Sequence, residues 1–105
     1  MINEILLDNV REWGFDKGIL GDHEYTQHAR HKQAMKTVEE VQELLDAIQA
    51  NDRAAAKDAI GDICVTLIMQ CEMWDTGLGS CIYDAYQEIK GRTGKMVDGQ
   101  FVKDQ

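Results

Sequence analysis

The chain of 105 residues contains no proline, and that absence is the first constraint on its fold. Proline breaks helices and marks turns, so its lack favours long uninterrupted helices over a turn-rich β fold. Only three cysteines are present, Cys64, Cys71 and Cys81, and none forms a CxxC pair. That excludes a disulfide framework and argues against a structural zinc site. Cys64 and Cys71 share one helix face but stand about 10 Å apart along the axis, too far to bridge. They read as small apolar packing residues in a reducing compartment. Basic residues are also scarce, with 11 Lys and Arg against 19 Asp and Glu and a formal charge of −8. No expected helix carries a basic stripe, so neither nucleic acid nor an anionic membrane is an expected partner. No apolar run approaches the ~20 residues that cross a bilayer. The opening "MINEILLDNVREW" shows no signal-peptide pattern. A soluble, cytoplasmic, single-domain protein (residues 1–105) is expected.

What remains is an ordinary globular composition, 44% apolar and 29% charged, arranged with helical spacing. Ile2, Ile5, Leu6, Val10 and Trp13 put a short amphipathic helix over residues 2–13. Three glycines and no clean period make 14–25 a loop. Thr26 caps a second helix over about 27–50, whose apolar stripe is Ala34, Val38, Val41, Leu45 and Ile48. Asn51 ends it and Asp52 caps a third helix over about 53–75. "TGLGS" at 76–80 breaks again, with Ser80 as the expected cap of a fourth helix over 81–92 carrying Ile82, Ala85, Tyr86 and Ile89. Asp98-Gly99 signals a tight hairpin turn near the end. The fold class is all-α, with a short C-terminal hairpin or extended tail.

One residue does not suit its surroundings. Asp62 interrupts the apolar run "DAIGDICVTLIMQC", with Asp58 one turn before it. On a helical wheel Ile60, Ile63, Cys64, Leu67, Ile68 and Cys71 form one face. Val65 and Met69 continue the other, so this helix is expected to be enclosed on most of its circumference. A carboxylate there needs a partner, because an uncompensated buried charge costs several kcal/mol. The partner is expected on the preceding helix. Glu39, Glu40 and Glu43 share one side with Lys36, opposite the Val38–Ile48 stripe. Counted from the Asn51–Asp52 turn, Glu40, Glu43 and Asp62 lie at one depth, roughly 15 Å down an antiparallel hairpin. Glu39, Glu40, Glu43, Asp58 and Asp62 then make one pocket of carboxylates. Such a pocket repels itself when empty and suits Mg²⁺ or Mn²⁺, which take oxygen ligands and keep waters for a phosphate to displace. It lacks the Glu-x-x-His of di-iron bundles. Lys36 is placed to touch an anion held by the metal, and Lys90, Arg92 and Lys95 can add to that role.

Other polar and aromatic residues carry less. His23, His28 and His31 read as surface groups. Trp13, Trp74, Tyr83 and Tyr86 read as core or interface, with base stacking as a further use of any one of them. "GRTGK" at 91–95 follows a helix and lacks the spacing of a phosphate loop.

At "KTVEEVQE" and "AIGD" the chain resembles the MazG-like members of the all-α nucleoside triphosphate pyrophosphohydrolases, in particular the short phage and mobile-element type. "VREWGFDKGI" and "YQEIKGRTGKMVDGQFVK" extend the likeness over most of the sequence. The family pattern is Glu-Glu-x-x-Glu on one helix and Glu-x-x-Asp on the next. Glu39, Glu40 and Glu43 match the first half and Asp62 ends the second. The second glutamate is replaced by Ala59. Either Asp58 stands in for it or the site has one ligand fewer. Tyr86 and Glu88 stand where longer members carry asparagine and lysine, while Arg92 matches. The resemblance implies Mg²⁺-dependent (possible also with Mn²⁺) hydrolysis of a nucleoside triphosphate to monophosphate and pyrophosphate. It implies Glu40, Glu43, Asp62 and Asp58 as ligands, Glu39 as base or outer support, and Lys36 and Arg92 on phosphates. It also implies a homodimer or homotetramer in which helix hairpins pair into a four-helix bundle, in a host cytoplasm for a phage-encoded member. The rival reading is a noncatalytic helical dimer whose acidic groove docks a basic partner segment. Ala59 keeps that reading open.

Overall fold

A computed structural model describes residues 4–105 as four helices followed by one antiparallel hairpin. The helices are α1 (Glu4–Asp16), α2 (Gln27–Gln49), α3 (Arg53–Met73) and α4 (Leu78–Ile89), and the strands are β1 (Gly94–Val97) and β2 (Gln100–Lys103). The helix start expected at residue 2, with Ile2, lies outside the described residues. The fold class is mostly helical, as expected, and the pairing of hairpins into a bundle is a matter of assembly.

The expected caps of the central hairpin form. Thr26 Oγ1 accepts from Ala29 N and Asp52 Oδ1 accepts from Ala55 N, each at 3.0 Å. Each such cap contributes about 1 kcal/mol to its helix. Asn51 takes a left-handed φ of 53°, which turns the chain between α2 and α3. Asp98 and Gly99, at φ 50° and 79°, make the expected hairpin turn, with Val97 opposite Gln100 and Met96 opposite Phe101.

Two boundaries move, each for a local reason. α1 continues through Gly14 to Asp16 instead of ending at Trp13. Gly14 is where α1 crosses α3: a Cβ there would meet Met69 Sδ at 2.5 Å and Leu20 Cδ1 at 3.0 Å. The glycine is a close-approach residue inside a helix rather than the start of a loop. α4 begins at Leu78, and its cap is Gly77 with no side-chain bond, so Ser80 lies inside the helix. Leu78 is half-buried against the core, which draws the first turn back toward α3.

That core is small. Leu20, Ile68, Met69 and Met73 form its centre, with Leu7, Val10, Ile19, Tyr25 and Leu78 packed around them. Met69 is 1% exposed, and burying a side chain of its size contributes roughly 1.5–3 kcal/mol. The loop after α1 is tied in place by Tyr25, whose hydroxyl accepts from Gly21 N and donates to Gly21 O at 3.0 Å. α4 meets the body through α3, where Cys71 and Cys81 bring their sulfurs to 3.8 Å as free thiols. Burial first, then the Cys81 thiol, push Cys71 up to about 11, so it stays neutral near pH 7.

One expectation about packing is not met within a single chain. α3 is not enclosed on most of its circumference: Ile60, Leu67 and Asp62 are exposed. The α2 stripe of Val38, Val41, Leu45 and Ile48, expected opposite Glu39, Glu40 and Glu43, is 40–63% exposed. α2 turns a polar seam toward α3 instead. Arg30 Nε donates to Met73 O at 3.0 Å, and Gln70 Nε2 returns a bond to Arg30 O at 2.9 Å. Gln33 Nε2 donates to Thr66 O at 3.3 Å, and the Thr37 and Thr66 hydroxyls meet at 2.8 Å. Only near the turn does the seam become apolar, at buried Ala47 and Ala59. Trp13, Trp74, Tyr83 and Tyr86 are all exposed, so none serves as core within one chain.

Candidate metal centre

The polar seam of α2 does not stop at Thr37. One turn further on it reaches Glu40, half-buried between the helices, and then Glu43 at the rim. Asp62 approaches from α3. One carboxylate oxygen from each of Glu40, Glu43 and Asp62 lies within 4.8 Å of the other two. The depth count along the hairpin therefore holds, although Asp62 is exposed rather than enclosed. Its partner is not forced on it by burial within one chain; the hairpin supplies it.

The electrostatics are those of clustered carboxylates. Glu40 Oε2 is buried and has no hydrogen-bond partner. The Glu40 carboxyl is raised above its ordinary range, first by its hydrogen bond with Glu43, then by burial, then by the charges of Glu43 and Asp62. The charge of Lys36 acts against this and is the smallest of these influences. A buried carboxylate oxygen without a hydrogen-bond partner, beside two further carboxylates, fits an oxygen-ligand site.

Not every expected residue joins the group. Glu39 turns to Lys36, Oε2 to Nζ at 3.0 Å, in an exposed pair. Hydrogen bonding and charge from Glu39 hold the Lys36 ammonium above its usual value. Asp58 stays outside the three. It lines an open trough of about 470 Å³ that Glu43 and Asp62 share with Asp46 and Asp52. Ala59, which stands where the family pattern has glutamate, is 2% exposed and lines the same trough. Residues 58 and 59 point about 100° apart on the helix, so Asp58 does not reproduce a side chain at 59. Arg92 is exposed just past α4, which packs on α3. Lys90 and Lys95 are exposed as well. His23, His28 and His31 are exposed, and no metal-ligating group among the described residues includes them.

Sequence reasoning missed a second feature beside the site. Arg30 lies over the Trp74 ring at 4.1 Å, and Trp74 Nε1 donates to Gln70 Oε1 at 3.0 Å. These residues wall a groove of about 690 Å³ floored by Val38, Val41 and Leu67. The available signal was the spacing of Arg30, Gln33, Thr37 and Glu40, a polar stripe as regular as the apolar one beside it.

The family model of the MazG nucleotide pyrophosphohydrolase domain matches residues 29–95. The chain belongs to this family. The match runs from the start of α2 into β1 and contains all three clustered carboxylates, while α1 and β2 lie outside it. No curated protein and no solved structure gives a significant match to the chain. A MazG domain is one of nucleotide pyrophosphohydrolases, so a hydrolase acting on nucleotides is the activity its family supports. No helix among the described residues is long and apolar enough to cross a membrane.

Proposed function

We propose that this MazG-family chain hydrolyses ribo- or deoxynucleoside triphosphates to the monophosphate and pyrophosphate with Mg²⁺, or with Mn²⁺ in its place. The observation that carries the reading is the three-carboxylate group with its orphaned Glu40 oxygen. Glu40, Glu43 and Asp62 would hold the cation, and Asp58 on the trough wall is available as a further carboxylate. The donor set fits: all ligand atoms are oxygens, and two of the three residues are exposed, which leaves room for waters and phosphate. When bound, the cation neutralises charge on the phosphate oxygens and lowers the barrier to attack at phosphorus.

The remaining roles fall to residues of this chain. Lys36, one turn before Glu40, exchanges its Glu39 partner for a phosphate oxygen. Glu39, released, accepts a proton from the attacking water. That water's oxygen bonds to the α-phosphorus as the bridge to the β-phosphate breaks. Arg92 is assigned to the departing phosphates from beyond α4. The uncovered stripe of Val38, Val41, Leu45 and Ile48 supports a homodimer or homotetramer, since a second hairpin laid on it completes a four-helix bundle. We place the activity in the cytoplasm, where nucleotides and Mg²⁺ occur together. The rival reading, an acidic groove that docks a basic segment, keeps one supporting observation: Ala59 in place of the glutamate.

Pyrophosphate release from a panel of ribo- and deoxynucleoside triphosphates, with and without Mg²⁺, separates the two. Turnover that needs the ion and is lost in Glu40→Gln and Asp62→Asn supports the hydrolase. No turnover on any substrate, with thermal stability indifferent to Mg²⁺, supports the docking module.

A further inference from the structure

The three carboxylates come from two helices, so their meeting depends on how α2 is turned about its own axis. The Asn51–Asp52 turn fixes depth, but it does not choose which face of α2 looks at α3. A competing choice exists. Rotating the Val38, Val41 and Leu45 stripe toward α3 would bury more apolar surface and carry Glu40 and Glu43 away from Asp62. Something must hold the polar face inward.

The hydrogen bonds show where the hold is. Thr66 is buried, and its hydroxyl donates to Ile63 O at 2.7 Å. A threonine hydroxyl has one hydrogen. The 2.8 Å bond between the Thr37 and Thr66 hydroxyls must therefore run from Thr37 as donor to Thr66 as acceptor. Gln33, one turn away on α2, donates to the carbonyl of the same Thr66. Thr37 lies one turn before Glu40 and Thr66 one turn after Asp62, so the hydroxyl pair and the carboxylates are successive rungs across the seam. Polar pairs in a helical seam are a known way to select one arrangement over an apolar competitor, and of those in this seam the hydroxyl pair is the rung next to the carboxylates.

We propose that Thr37 and Thr66 are positioning residues, whose hydroxyl bond sets the facing of α2 and so brings Glu40 and Glu43 to Asp62. This rests on the metal reading of that group. Thr37→Val is the informative variant, because Thr66 keeps its own bond to Ile63 and no buried donor is orphaned. Its melting temperature stays within a few degrees of the unchanged chain. Its Mn²⁺ affinity, read by the electron paramagnetic resonance signal of the free ion, falls about tenfold, the lower end of what outer support of metal ligands is worth. Thr37→Ser restores it. Thr37→Val/Thr66→Val, which removes both partners together, repeats the loss if the single variant proves unstable. Mn²⁺ affinity unchanged in both valine variants, with Asp62→Asn weakened, overturns the positioning role alone. An unchanged chain and Asp62→Asn that bind Mn²⁺ alike, or not at all, overturn the metal reading and the inference with it.

Discussion

Along α2, the face carrying Arg30, Gln33, Thr37 and Glu40 meets α3, while the face carrying Val38, Val41, Leu45 and Ile48 is left largely exposed. α1 behaves in the ordinary way, placing Leu7 and Val10 against the core. An amphipathic pattern states which residues avoid water but not which neighbour covers them. In α1 the neighbour is α3. In α2 the inward face carries hydrogen bonds and the clustered carboxylates, and the apolar face is largely exposed.

The largest test of this contrast is chemical. Asp62→Asn and Glu40→Gln should lower Mg²⁺-dependent pyrophosphate release by about a hundredfold or more, given that even outer-shell losses cost 10–100-fold. Equivalent activity in either would mean the inward face is not the site. Next, Leu45→Glu on the outward face should convert an oligomer to a monomer in analytical ultracentrifugation, with helicity retained by circular dichroism. An oligomer that survives it would show that α2 does not face a second copy.

A third substitution sharpens the contrast from the side of α1. Gly14→Ala forces a methyl against Met69 and Leu20, which are themselves buried, and should destabilise the fold by roughly 1–3 kcal/mol in urea titration. A neutral effect would mean the α1–α3 crossing is looser than its contacts. The smallest effect is on pH dependence. With the Glu40 carboxyl raised above its ordinary 4.5, the folded chain keeps a proton that the unfolded chain has released. Metal-free stability should therefore fall as pH rises from 4.5 through the raised value. Thermal melts across that window should show the decline, and Glu40→Gln or added Mg²⁺ should remove it.

Much of this arrangement was legible in the sequence, and the failures are of separate kinds. Helix content, the Thr26 and Asp52 caps and the Asp98-Gly99 turn follow from local chemistry and form as read. The level match of Glu40, Glu43 and Asp62 follows from helix rise and a short turn, and it also holds. The apolar pattern of α3 does not state how much of that helix one chain covers. It implied an enclosed Asp62, which is exposed within a single chain. Gly14 failed differently: its role lies in a crossing with Met69, more than fifty residues on, which no local pattern carries. Asp58 and Glu39 matched by type and spacing, yet Asp58 lies one turn nearer the Asn51–Asp52 turn along the trough and Glu39 pairs with Lys36, so neither is in the group.

The most direct measurement is a crystal grown with Mn²⁺ and recorded at the manganese absorption edge. An anomalous peak in contact with oxygens of Glu40, Glu43 and Asp62 is the predicted result. A peak elsewhere, or none with those three side chains well ordered, would contradict the account.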